Sequence, residues 1–265
     1  MINKIGIIGG GNLGTAIAEG LIQSGYISPG HILITRRSVD QLHALERKGV
    51  MVSSNNEDAL NYASLILLAV KPFQVNEVLS KLKSSFKKGK HILVSVVTGV
   101  SIQHLSSHVP EQVPIVRAMP NTAIAIRESM TCLAAKDIDH EQFQEILEMF
   151  NQLDSSVKID EKLMDAATVL GACGTAFAMR YIRANIQGGI EIGFDAATAS
   201  LIAAQTVKGA AELLLKKQTH PEQEIDKVTT PKGCTIAGLN EMEHRGFSSS
   251  LIKGLVASYQ KIGQD

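Results

Sequence analysis

The sequence predicts an α/β protein in two parts: a largely parallel sheet covered by helices over residues 1–160, then an all-helical domain over residues 161–265. Three observations carry this. Short apolar runs alternate with helix-length segments through the first part, the pattern of a parallel sheet wrapped by helices. One run, Ser64–Val70, is almost wholly apolar, as a strand buried on both faces must be. Beyond residue 160 strand-like runs stop and only helical patterns remain.

Taken in order, strands are expected at Lys4–Ile8, His31–Thr35, Val50–Ser53, Ser64–Val70, His91–Val97, Val113–Met119, Met130–Ala134 and Ser156–Ile159. Ala16–Gln23 and Val39–Arg47 are helix-length segments between them. Phe143, Ile146, Leu147 and Phe150 follow the i, i+3, i+4, i+7 spacing of one buried helix face. In the second part, helices are expected over Glu161–Leu170, Gly174–Ile192, Ala196–Lys217, Thr235–Arg245 and Ser248–Ile262. Asp195 and Ser248 are suited to N-caps, and Gly193 and Gly246 to helix stops. The small residues of Ala196–Ala211 allow close helix approach. So apolar a helical domain must bury its surface internally or against a second subunit, and a dimer made by this domain is expected.

Composition narrows the partners. Lys plus Arg equals Asp plus Glu at 26 each, so no net field recruits nucleic acid or an anionic membrane. Only 4% of residues are aromatic and there is no Trp, which argues against a base-stacking surface. Cys132, Cys173 and Cys234 are far apart and lack CxxC spacing, as expected of reduced thiols in a cytoplasmic protein. The first residues lead directly into a strand-like run rather than a signal peptide, and no apolar run is long enough to span a bilayer. His104 and His108 make a helical pair with no clear third ligand, so no metal site is expected.

Gly9-Gly10-Gly11-Asn12-Leu13-Gly14 fits GxGxxG, directly after the first strand and at the opening of a helix. In that context Gly9 permits the tight turn, Gly11 lets a pyrophosphate approach the backbone, and Gly14 lets the helix pack on the sheet. Gly9, Gly11, Asn12 and Leu13 are the contacts expected of a Rossmann-like dinucleotide-binding domain, with phosphates at the helix N-terminus. An NAD site usually has a carboxylate at the end of the second strand. Here that strand ends Thr35-Arg36-Arg37-Ser38. Two guanidinium groups suit a 2′-phosphate, so Arg36 and Arg37 favour NADPH over NADH.

Further segments fall where open sheets bind ligands: Leu68-Ala69-Val70-Lys71-Pro72, Ser95–Ser101 and Arg117-Ala118-Met119-Pro120-Asn121-Thr122. With the glycine loop and Val228–Leu239, they resemble the pyrroline-5-carboxylate reductases over nearly the whole chain. The resemblance implies NADPH-dependent reduction of 1-pyrroline-5-carboxylate to L-proline, a small-molecule imine substrate, and a homodimer that can assemble into a ring of dimers. It implies cofactor contacts at Asn56 and at Ala69, Val70, Lys71 and Pro72, with Lys71 near the nicotinamide ribose. Val97 and Thr98 would line the nicotinamide, Asn121 would shape the pocket opposite, and Glu161 would lie close to the substrate. From the sequence alone, Glu161 reads as a first-turn carboxylate facing its helix dipole.

The Thr229–Leu239 segment also has its own logic. Pro231 holds Thr230 out of the helical region. Gly233 gives a flexible turn. Thr235 is expected to cap a helix beginning at Ile236, leaving amides near Cys234 and Thr235 to cradle a carboxylate, with a further bond from the Thr230 hydroxyl. The resemblance makes Thr235 the catalytic hydroxyl near the imine nitrogen. Two departures from the family pattern stand out. Lys232 replaces a glycine, and Gly171-Ala172-Cys173-Gly174-Thr175-Ala176-Phe177 lacks the family's proline and tyrosine. They leave open a different cyclic imine, a small keto acid, or an NADPH-binding regulatory role without turnover. No Lys-x-x-x-Asn occurs, which counts against a β-hydroxyacid dehydrogenase.

Overall fold

All eight predicted strands form: β1 (Ile5–Ile8), β2 (Ile32–Thr35), β3 (Met51–Ser53), β4 (Leu65–Leu68), β5 (Ile92–Ser95), β6 (Ile115–Met119), β7 (Ser129–Lys136) and β8 (Asp154–Lys158). In the computed structural model, which describes residues 2–262, they make one sheet ordered β3-β2-β1-β4-β5-β6-β7-β8. Neighbours are parallel except the antiparallel pair β6–β7. The run expected to be most buried, β4, lies between β1 and β5. The edge strands β3 and β8 are the least covered.

Alternation along the strands feeds two cores, one on each face of the sheet. Ile5, Ile7, Leu65 and Leu67 pack with helices α1 (Asn12–Gln23) and α6 (His140–Asn151) on one face. Ile8, Ile66 and Leu68 pack on the other. There they meet α3 (Glu57–Tyr62), α4 (Val75–Leu82) and α5 (Ile102–His108). The predicted face of α6 is buried at Phe143, Ile146 and Phe150, while Leu147 is half-buried. The segment expected as one helix over Val39–Arg47 is a 3-10 turn, Val39–Leu42, followed by the short α2 (His43–Glu46).

The chain divides into two compact units, Met1–Ala172 and Cys173–Asp265. The first thus extends past the division expected after residue 160. The reason is packing: after a 3-10 turn at Glu161–Leu163, Met164 of α7 (Met164–Ala167) is fully buried in the second core, and Thr168 and Val169 are also buried. The single helix expected over Glu161–Leu170 is therefore three pieces, the last a π-helical turn at Thr168–Cys173.

The second unit holds α8 (Gly174–Glu191), α9 (Ala196–Lys217), α10 (Pro221–Lys227), α11 (Cys234–His244) and α12 (Phe247–Ile262). Asp195 caps α9 by accepting from Ala197 N and Thr198 N, both at 3.0 Å. Gly193 and Gly246 stop helices at φ +114° and +76°. Small residues let α8 and α9 touch: a Cβ on Gly189 would lie 3.2 Å from the Ala199 Cβ. Ser248 is not a cap. Helix α12 begins one residue before it, and its hydroxyl donates to Glu243 Oε1. Helix α10 was not expected; it starts on Pro221, with His220 as its cap.

Candidate active site

The glycine turn is built by close approach. Gly9 has φ +113°, and a Cβ there would lie 2.5 Å from Ala69 O, so the end of β4 can run against it only if residue 9 is glycine. A Cβ on Gly14 would lie 2.2 Å from Gly9 O, which seats α1 on the turn. Gly9 N and Gly10 N both donate to Thr35 O, at 3.1 and 2.8 Å, tying the turn to β2. Gly11 differs: nothing lies within 4 Å of its Cβ position. That is the open side a pyrophosphate needs. Gly11 is also the N-cap of α1, no side chain caps that end, and its first turn holds no acid. The helix end thus presents amides and a positive dipole to an anion.

These residues open onto a cavity of about 1080 Å3 where β1 and β4 diverge into opposite halves of the sheet. This is the switch point at which open α/β sheets hold dinucleotides. Every cofactor contact expected from the sequence lines it: Gly9, Gly11, Asn12 and Leu13; Arg36, Arg37 and Asn56; Ala69 to Pro72; Val97 and Thr98. The supports are specific. The Thr35 hydroxyl donates to Asn56 Oδ1 at 2.5 Å. Arg36 N donates to Ser53 O at 3.0 Å, and its guanidinium donates to Gly10 O, folding that side chain over the glycine turn. Arg37 remains exposed at the rim. Lys71 N is held by Gln74 Oε1 at 3.1 Å.

Sequence reasoning missed Ser38, Gln41, Ser54, Asn55, Gln74, Glu77 and Lys81, which also line the cavity. For the α4 pair a signal existed. Val75, Leu79 and Leu82 are its buried face, so Glu77 and Lys81 must project elsewhere.

Two expected pocket residues have structural duties. Asn121 does not line this cavity; its side chain accepts from Ala123 N at 3.0 Å and caps the 3-10 turn Thr122–Ile126. Glu161 faces a helix dipole, but that of α5 rather than its own helix: Oε1 accepts from Ile102 N at 2.6 Å and from Arg117 Nη1 at 3.1 Å. Arg117 is only 5% exposed, in the middle of β6. Leaving such a charge without its partner costs about 3–5 kcal/mol. The Val97–Thr98 turn precedes α5, so the Arg117–Glu161 pair anchors the helix that follows the inner wall of the cavity.

In the helical unit, Thr230, Gly233, Cys234 and Thr235 are brought together at the start of α11. The turn differs from the expected one. Gly233 has φ −71° and is the N-cap of α11. The left-handed residue is Lys232, at φ +60°. Gly233 is required by proximity, because a Cβ there would lie 2.5 Å from Thr230 Oγ1. Gly233 N donates to Thr230 O at 2.9 Å, closing the turn. The helix begins at Cys234, so Thr235 lies in its first turn and is not its cap. The Cys234 and Thr235 amides remain at an N-terminus with no side-chain cap. Gly171–Phe177, the other departure from the family pattern, runs from the π-helical turn into α8.

The sheet order, the glycine turn at its switch point and the wholly helical second unit define a two-part, dinucleotide-dependent oxidoreductase. The comparisons are more specific. Residues 161–264 match the family model described as pyrroline-5-carboxylate reductase dimerisation, and residues 4–99 match NADP oxidoreductase coenzyme F420-dependent. The chain is 48% identical to pyrroline-5-carboxylate reductase 1 of Dictyostelium discoideum over 98% of its own length and 49% of that relative's. It is 44% identical to pyrroline-5-carboxylate reductase 2 of the same organism, over 97% of this chain and 91% of the relative. Among solved structures it is similar to a pyrroline-5-carboxylate reductase from Coxiella burnetii (TM-score 0.94, 29% identity, 100% of this chain and 98% of that one). It is also similar to the Plasmodium falciparum pyrroline carboxylate reductase with NADP bound (TM-score 0.87, 26% identity, 98% and 96%). The chain belongs to the pyrroline-5-carboxylate reductase family. It spans about half the length of the first Dictyostelium relative and nearly all of the second.

Proposed function

We propose that the chain reduces 1-pyrroline-5-carboxylate to L-proline with NADPH. The observation that carries this is the cavity at the β1/β4 switch point, with Gly11 open to it and Arg36 and Arg37 on its wall. Bound there, the reduced nicotinamide supplies the hydride, and the chain's residues do the rest. Gly9, Gly11, Asn12 and Leu13 receive the pyrophosphate on backbone amides. Arg36 and Arg37 hold the 2′-phosphate through charge-assisted bonds. Asn56 and the Ala69–Pro72 turn line the nucleotide, with Lys71 at the nicotinamide ribose and Val97 and Thr98 against the ring.

The substrate part of the proposal rests on the α11 turn. Its free amides at Cys234 and Thr235, with the Thr230 hydroxyl and the shape imposed by Gly233, suit a carboxylate. The Thr235 hydroxyl orients the imine nitrogen. A protonated cyclic imine accepts hydride at carbon and becomes the amine without further proton transfer, so positioning supplies much of the rate. Asn121 and Glu161 contribute through the segments they cap. Thr235→Ala is expected to lower kcat about 100-fold, as misplacement of the reacting atoms can, with the Kd for NADPH unchanged. Full turnover in that variant would remove Thr235 from the mechanism.

The proposal includes a homodimer made by the helical unit. Among the described residues of that unit only Ala199 and Ala203 are buried, whereas Leu201 and Leu215 are each 72% exposed. A surface so apolar fits a second copy of the chain. Assembly of dimers into a ring is the further step of the same proposal. A cytoplasmic location accords with three free cysteines and, among the described residues, with no helix long and apolar enough to cross a membrane. The functional parts are residues 1–160 and 161–265, the second borrowing the sheet unit's packing for its first turns.

A further inference from the structure

The end of β2 lacks the carboxylate of an NAD site, yet the cavity does not. Helix α4 supplies one through space. Glu77 and Lys81, one helical turn apart, line the same cavity as Arg36, Arg37 and Ser38. Lys81 Nζ lies 2.7 Å from Glu77 Oε1. The hydrogen bond and charge of Lys81, with the charge of Arg37 as the smallest contribution, hold the Glu77 carboxyl below its ordinary range, so it is an anion at the cationic wall. Both side chains are exposed, at 72% for Lys81 and 69% for Glu77. Such a surface pair is weak and rearranges at little cost.

Resting on the cofactor reading above, we propose that Glu77 and Lys81 set the balance between NADPH and NADH. A 2′-phosphate brings close to two negative charges. It is repelled by Glu77 and attracted by Lys81. A free ribose 2′-hydroxyl has no charge to repel and can donate to the Glu77 carboxylate, as it does to an acid at a strand end. The pair is therefore a built-in compromise. Arg36 and Arg37 favour NADPH, Glu77 keeps NADH admissible, and Lys81 turns Glu77 aside when the phosphate arrives. Neither residue belongs to a buried face of α4, so both can be changed without opening the core.

Equilibrium titration of the full-length chain with NADPH and with NADH, followed by nucleotide fluorescence, tests this for wild type, Glu77→Gln and Lys81→Gln. Glu77→Gln should tighten NADPH and weaken NADH, moving the ratio of the two Kd values about tenfold, as removal of one charge near another allows. Lys81→Gln should move the ratio the other way, through weaker NADPH binding. Repeating the titrations at high salt should shrink both effects. A Glu77→Gln protein that binds both nucleotides with an unaltered ratio overturns the proposal and leaves the cofactor reading intact. A wild-type protein that binds neither nucleotide overturns both.

Discussion

The two units spend their apolar residues in opposite ways. The sheet unit buries them within itself: Ile5, Ile7, Ile8 and Leu65 to Leu68 are all essentially inaccessible, split between two faces. Among its described residues the helical unit buries two alanines and leaves Leu201, Leu215 and Ile252 in contact with solvent. The first is a finished domain with a cavity whose lining is its own. The second carries the α11 turn, proposed above to take a carboxylate, on a scaffold whose large apolar side chains one chain leaves exposed. On the function proposed above, stability and cofactor binding belong to one unit, while assembly and substrate selection belong to the other.

The strongest way to break that comparison is to cut equivalent apolar side chains in each unit. Leu67→Ala, in the centre of β4, should cost about 2–5 kcal/mol in denaturant unfolding, independent of protein concentration. Leu201→Asp should instead lower the sedimenting mass from dimer to monomer and give a stability loss that depends on protein concentration. Equal, concentration-independent losses would erase the distinction.

A smaller effect sharpens the account of the substrate turn. Lys232 holds φ +60°, where a side chain is strained and glycine is not. Lys232→Gly should raise stability by about 0.5–1 kcal/mol, read as a higher Tm. A lower Tm would mean that the lysine side chain makes a stabilising contact that outweighs the strain.

The smallest effect is a pH dependence confined to the sheet unit. His91 is buried, Nδ1 accepts from Lys87 N at 2.9 Å, and Nε2 meets Leu60 O at 2.9 Å. Burial pushes its pKa below 6.5, so the folded protein keeps the ring neutral while the unfolded chain binds a proton near that value. His91 should therefore contribute full stability above pH 6.5 and lose it as the pH falls toward the lowered folded value. His91→Gln should flatten the dependence of unfolding free energy on pH in that window. An unchanged slope would assign the effect to other groups.

How much was legible follows from which forces are local. The inner strands were, because a buried strand writes its apolar run directly into the sequence; the edge strands β3 and β8, which hold no buried residue, were read from weaker runs. The glycine turn was, because the close approaches at Gly9 and Gly14 and the open side at Gly11 fall at a fixed spacing along the chain. Asp195, Gly193 and Gly246 were, because caps act within a few residues. Helix α10 was not: Glu222-Gln223-Glu224 gives so short a segment no apolar face, and only Pro221 marked its start. The caps assigned to Ser248 and Thr235 each missed by a residue or two, since neighbouring residues can begin a helix equally well. The compact sheet unit runs on to Ala172, past the division read at residue 160, because Met164 answers to the sheet's core rather than to the helices beside it in sequence. The Arg117–Glu161 pair was hidden for the same reason, and so was the wall that Glu77 and Lys81 share, although the α4 spacing already turned those two away from the core: such partners and walls are assembled only by folding.

The central claim is tested most directly by incubating the wild-type protein with NADPH and 1-pyrroline-5-carboxylate and following both nicotinamide oxidation and product. The account predicts oxidation matched mole for mole by L-proline. Tight NADPH binding with no proline formed would contradict it, and would turn attention to Lys232 and the Gly171–Phe177 stretch as marks of another substrate or of a lost activity.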